Sequence, residues 1–217
     1  ASNKVNAHNF TIDTTSKYAY VNLGGHNGYR IINVADPEKP IEGIEVSTGS
    51  IHDVMAVDEL LYVAGGSNWY SVWDISNKTN PKQLTKFSSD VSYSHTIWPT
   101  DDRKYVITTD ETANKDILFW DLDKDNNYAN PSIVSRWLGQ NRMAHNLIVK
   151  GNYAFISHYA SGVYVLDITD IKNPKEVAHI DTHFSENAAL DEQPGLWGAF
   201  GLYVSPSNYV MACNMDD

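Results

Sequence analysis

Short runs of apolar residues, broken at regular steps by turn residues, fill the chain, and the pattern is clearest from Met143 to Thr182. A His-Asn pair leads into Leu147-Ile148-Val149, and Gly151-Asn152 makes a turn. A second run covers Tyr153 to Ser157, and His158 to Gly162 turns again. Val163 to Ile168 is a third run, and Asn173-Pro174 precedes a fourth from Lys175 to Ile180. Runs of this length, rich in Val, Ile and Tyr and bounded by turn residues, predict four antiparallel strands. Such a sheet has two faces to bury and cannot do so alone, whereas stacked copies can.

The copies are present. The opening histidine recurs at His8, His52, His95 and His145, at steps of 44, 43 and 50 residues. The second run recurs as YAYVNL from Tyr18, LYVAGG from Leu61, YVITTD from Tyr105 and YAFISH from Tyr153. The third recurs as YRIINV from Tyr29, YSVWDI from Tyr70, ILFWDL from Ile117 and VYVLDI from Val163. Pro40, Pro81, Pro131 and Pro174 precede the fourth. Four strands per period of about 40 to 50 residues predict an all-β chain, a β-propeller of four-stranded antiparallel blades. The blades fall at about residues 5–48, 51–88, 94–138 and 144–182, with an incomplete one at 195–217, in a single domain spanning 1–217. Half a blade leaves a bare sheet edge, so the expectation is about four and a half blades of a larger ring.

Composition narrows the partners. The chain has 217 residues and a formal net charge of −11, with no basic cluster. Nucleic acid is therefore excluded as the expected partner, because phosphate binding needs concentrated Lys and Arg. No run approaches the roughly 20 apolar residues of a membrane span. One cysteine, Cys213, rules out a disulfide within the chain. The acidic make-up, rich in Tyr, Trp and Asn, suits an extracellular or periplasmic protein.

The blade ends VLDITDIKNP and VWDISNKTNP resemble the LVIVD-repeat consensus, in which a strand closes in Asp-Ile-Ser and runs into Asp-Pro-x-x-Pro. The order of landmarks is similar to that of the choice-of-anchor B family of bacterial surface proteins: AHN (Ala7 to Asn9), HDVMAV (His52 to Val57), the stretch from Tyr93 to Glu111, the stretch from Ala144 to Ile168, and Trp197-Gly198. The resemblance implies an exported β-propeller attached to a bacterial cell surface. It implies no reaction and no catalytic residue.

In a propeller the first strand of each blade lines the channel, so His8, His52, His95 and His145 are expected around one mouth, beside Asn9, Asp53, Thr96 and Asn146. Loops between second and third strands bring His26, Asp110, Glu111, His158, Asp216 and Asp217 to the same side. Imidazoles and carboxylates on one concave rim suit a divalent metal ion. The competing reading is structural: a histidine at the start of each blade bonds a neighbouring turn or the next blade. Asp110, Glu111, His158, Trp98 and Trp197 are the candidate binding rim, the two tryptophans as stacking surfaces for a sugar or an aromatic group. Asp74 and Asp167 are expected to pin the turn into the fourth strand. Asp121 to Asp125 resembles the start of a calcium loop but lacks its glycine and its final glutamate, which favours a turn capped by an Asx residue. No G-x-S-x-G nucleophile pattern is present.

Three functions follow as expectations. The first is a secreted or cell-surface, non-catalytic binding module for a protein or glycan. The second is a metal-dependent enzyme built on the His/Asp/Glu rim. The third is a scaffold subunit in a surface assembly.

Overall fold

Strands form over the short runs rich in β-branched and aromatic residues that turn residues bound. In the computed structural model, which describes residues 7–23, 28–139, 143–183 and 196–215, eighteen strands are found. The one short helix there is a single 3-10 turn at Lys124–Asn126. No helix among the described residues is long and apolar enough to cross a membrane. The helical turn expected within Glu186 to Asp191, and His26, Asp216 and Asp217, lie outside the described residues.

The chain divides into two compact units, residues 1–97 and 98–217. In the first, β1 (Phe10–Asp13), β2 (Tyr18–Asn22), β3 (Tyr29–Asn33) and β4 (Ile41–Val46) form one antiparallel meander. A second contains β5 (Asp53–Val57), β6 (Leu60–Ala64), β7 (Tyr70–Asp74) and β8 (Lys82–Phe87). The division falls within β9 (Ser94–Pro99), first strand of the sheet completed by β10 (Tyr105–Asp110), β11 (Ile117–Asp121) and β12 (Ser132–Trp137). The second unit also holds β13 (Leu147–Lys150), β14 (Tyr153–Ser157), β15 (Val163–Asp167) and β16 (Lys175–Ile180), and the two-stranded pair β17 (Ala199–Val204) and β18 (Val210–Asn214). Four four-stranded meanders and a half are the blades of a β-propeller, as the repeat predicts.

The repeat extends to detail. In every full blade the third and fourth strands shift register once, between Arg30 and Ile32, Val72 and Trp73, Phe119 and Trp120, and Val165 and Leu166. One extra residue there bends and twists the outer strand. Each third strand ends on an Asx residue whose Oδ1 accepts the N–H two residues on. Asn33 takes Ala35 and Asp74 takes Ser76, while Asp121 takes Asp123 and Asp167 takes Thr169, all at 2.9 Å. Asp74 and Asp167 therefore pin their turns, and Asp121 caps the stretch that resembled a calcium loop. Gly28 and Gly162 stand just before a third strand with positive φ, where a Cβ would run into the carbonyls of Val46 and Ile180.

In the first unit Tyr20, Tyr29 and Ile31 turn one face of their blade onto Ile51, Val54, Ala56, Leu61, Val63, Trp73 and Ile75. In the second, Ile107, Ile117 and Phe119 at the equivalent positions pack with Leu147, Val149, Ala154, Ile156, Tyr164 and Leu166. These cores hold the first strands β5 and β13, beside whose starts His52 and His145 stand.

Candidate functional site

In the first unit the starts of the blades lie side by side. His8, His52 and His95 each sit just before or at the start of β1, β5 and β9. Their rings form a contiguous series: His8 to His52 at 4.4 Å between centroids, edge-on, and His52 to His95 at 4.1 Å, tilted. Tyr93 lies edge-on to His52 at 5.4 Å. Burial grades along the series, with His8 exposed, His52 half-buried and His95 buried. The backbone holds them in place: His52 N–H donates to Ala64 O at 2.8 Å, and the Asn22 side chain donates to His52 O.

The ring nitrogens are wired to protein oxygens. His52 Nδ1 lies 3.3 Å from the His95 carbonyl. A carbonyl only accepts, so Nδ1 carries the proton and the lone pair sits on Nε2. His95 Nδ1 lies 3.0 Å from Thr96 Oγ1. The Thr96 hydroxyl donates to Asp53 Oδ2 at 3.2 Å, which leaves its lone pairs to accept from His95 Nδ1–H. His95 therefore shares the tautomer of His52. The ligand nitrogens of His52 and His95 lie within 4.8 Å of each other.

Asp53 organises this cluster. Its Oδ1 accepts from Val54 N–H at 2.8 Å and from the Asn9 amide, while Oδ2 takes Thr96. Three consecutive blade starts thus converge on one carboxylate. Burial pushes its carboxyl up to about 6, against the Val54, Thr96 and Asn9 donors, which favour the charged form.

The second unit solves the same position differently. His145 is buried, and its Nδ1 donates to the Phe200 carbonyl at 2.7 Å. Its ring stacks on Phe200 at 4.1 Å and tilts against Tyr159 at 4.8 Å. Its Nε2 faces Glu111 Oε1 at 4.0 Å, and the Tyr159 hydroxyl donates to that same carboxylate oxygen. Thr109 Oγ1 donates to the His145 carbonyl at 2.6 Å. Tyr159 holds a positive φ of 45°, a strained conformation for a bulky residue, and is kept there by paired backbone bonds with Ala199 at 3.1 and 3.0 Å.

None of the other candidates is fully exposed. Asp110 is buried at the end of β10. His158 is fully buried after β14, edge-on to Trp137 at 6.3 Å and to Tyr164 at 5.5 Å. Trp98 packs on the core of the second unit. Trp197 is half-buried, with its ring 6.3 Å from His183. The sequence pattern singled out Asp53 and Thr96 only as neighbours of the histidines, and it left out Tyr159 and Phe200. The signal for Asp53 was a carboxylate where the other blades have Asn9, Thr96 and Asn146. Nothing in the repeat marked Tyr159.

Comparison with known proteins fits this architecture. The LVIVD repeat matches residues 48–88 and 141–182. No curated protein matches the chain in sequence. A solved protein from Lactobacillus plantarum superimposes with a TM-score of 0.76 at 12% identity, covering 97% of this chain and 64% of its own. The periplasmic gluconolactonase of Pseudomonas aeruginosa gives 0.71 at 15% identity, covering 96% and 65%. A functionally unknown protein from Desulfotomaculum acetoxidans gives 0.72 at 15% identity, covering 97% and 64%. The chain spans less than two thirds of the length of each of these. At such identities the likeness is one of fold.

Proposed function

We propose, on the premise that this is an LVIVD-repeat protein with propeller blades, that it is an exported or cell-surface binding module without catalytic activity. It takes a protein or glycan at the starts of the blades. One observation carries this reading: each unit holds an exposed aromatic ring against a blade-start imidazole, Tyr93 on His52 and Phe200 on His145. Rigid aromatic rings beside polar groups are the usual makings of a recognition surface. The periplasmic setting of the Pseudomonas aeruginosa relative supports the exported location. Glycan and peptide arrays probed with the purified protein test the idea. The expected result is a ligand whose affinity falls at least tenfold in both Tyr93→Ala and Phe200→Ala; unchanged affinity in both variants rejects it.

A second reading is supported by the Glu111, His145 and Tyr159 cluster and by the gluconolactonase name of that relative. Here Glu111 acts as general base. It takes a proton from water, the oxygen adds to a lactone carbonyl, the ring C–O bond breaks, and the proton passes to the leaving alkoxide. Hydrolysis of gluconolactone followed by pH-stat, lost at least a hundredfold in Glu111→Gln, would establish it in place of the binding module. No turnover above the spontaneous rate removes it.

A further inference from the structure

We propose that His52 and His95 form a binding site for a divalent late transition metal ion such as Zn2+, Co2+ or Cu2+, with Thr96 and Asp53 positioning the His95 ring. The inference goes beyond the binding-module reading and does not depend on it.

Three features of the first unit carry it. First, both imidazoles have Nδ1 committed to a protein oxygen, His52 to the His95 carbonyl and His95 to the Thr96 hydroxyl. This puts both lone pairs on Nε2, the form in which histidine ligates metals. Second, the His95–Thr96–Asp53 chain has the arrangement that fixes metal-ligating histidines elsewhere. In that arrangement the ring N–H is held, here through a hydroxyl, by a carboxylate that orients the ring and makes it more basic. That carboxylate is buried and held in turn by Val54 N–H and the Asn9 amide. Third, the two ligand nitrogens lie within 4.8 Å of each other. Nitrogens bound at about 2.1 Å to one ion stand roughly 3 to 4 Å apart, which falls within that limit.

The donor set selects the ion. Two neutral imidazoles favour zinc, copper, nickel or cobalt over calcium or magnesium, which take oxygen ligands. Asp53, one hydroxyl removed from the ring, supplies negative charge to offset the cation. His8, edge-on to His52 and exposed, packs against the pair and is not assigned as a ligand.

The test uses chelator-stripped protein titrated with ZnCl2 by calorimetry and with CoCl2 by visible absorption, in the absence of any other ligand. The expected result is one ion per chain, with binding lost in His95→Gln and in His52→Ala. Thr96→Val should weaken it ten- to a hundredfold and Thr96→Ser should restore it, as orientation through a hydroxyl requires. His8→Ala should change it less than threefold. Circular dichroism of each variant identifies any that fails to fold, and the Thr96 pair keeps the test decisive if a histidine variant does. Absence of binding at millimolar metal overturns the proposal, as does binding that survives both histidine substitutions or is indifferent to Thr96→Val. An array ligand found or not found bears only on the binding-module reading.

Discussion

The blade starts of the first unit and that of His145 in the second share one landmark and end as different chemistry. In the first, His52 and His95 lie ring against ring, and a buried Asp53 ties three blades together through Asn9, Thr96 and its own strand. In the second, His145 stacks on Phe200, tilts against Tyr159 and faces Glu111. Both use Nδ1 to bond a carbonyl across to the next first strand, His52 to His95 and His145 to Phe200. A repeat can therefore fix backbone position and tautomer while leaving the chemistry to the residue beside the histidine and to the following loop. Asp53 occupies the place where the fourth blade has Asn146, whose amide donates to the Phe200 carbonyl at 3.5 Å.

The strongest way to break the contrast is to remove the second unit's aromatic wall. Tyr159 is buried, packs on His145 and bonds Glu111. Tyr159→Ala should cost about 3 to 5 kcal/mol in urea denaturation, the range for truncating a buried aromatic residue. A cost below about 1 kcal/mol would mean the strained turn does no more than connect strands.

The next effect sharpens the role of Asp53. Its carboxyl is pushed up to about 6 from an ordinary 3.8 by burial. The folded protein therefore holds a proton that the unfolded chain has released between those values. Stability from this group is greatest below the lower value, falls as pH rises through about 6, and is flat above. Across that span the loss relative to Asp53→Asn should approach about 3 kcal/mol. Denaturation of both proteins from pH 4 to pH 7.5 measures it, and parallel profiles would refute it.

A smaller change tests the Tyr159 hydroxyl beside His145. Tyr159→Phe keeps the ring but removes the donor to the Glu111 carboxylate, and should cost about 1.5 to 3 kcal/mol as a hydrogen bond to a charged group. Urea denaturation of this variant beside Tyr159→Ala separates the hydroxyl from the ring. The smallest effect is expected at His8, whose exposed ring adds only an edge contact: His8→Ala should stay within about 0.5 kcal/mol. A large loss there would make the histidine series, and not Asp53, the organiser of the first unit.

Much of the fold was legible because period and turn chemistry are local properties. The recurrence of His8, His52, His95 and His145, the prolines before each fourth strand, and Asp74 and Asp167 closing third strands all act within a few residues of themselves. They mark strand number, order and blade type within the local sequence. The histidines were legible as candidates for the same reason.

What the sequence could not give was which atoms face each other across blades. That Thr96 relays Asp53 to His95, 43 residues apart in the case of Thr96 and Asp53, depends on two first strands lying side by side. That Tyr159 turns its hydroxyl to Glu111, 48 residues away, depends on a strained φ held by Ala199. Short apolar runs and the turn residues between them determined that these strands exist. Only packing of blade on blade decided which carboxylate, hydroxyl or ring each histidine meets. Hydrogen bonds and ring contacts act over a few ångströms, and only the folded chain brings those partners that close.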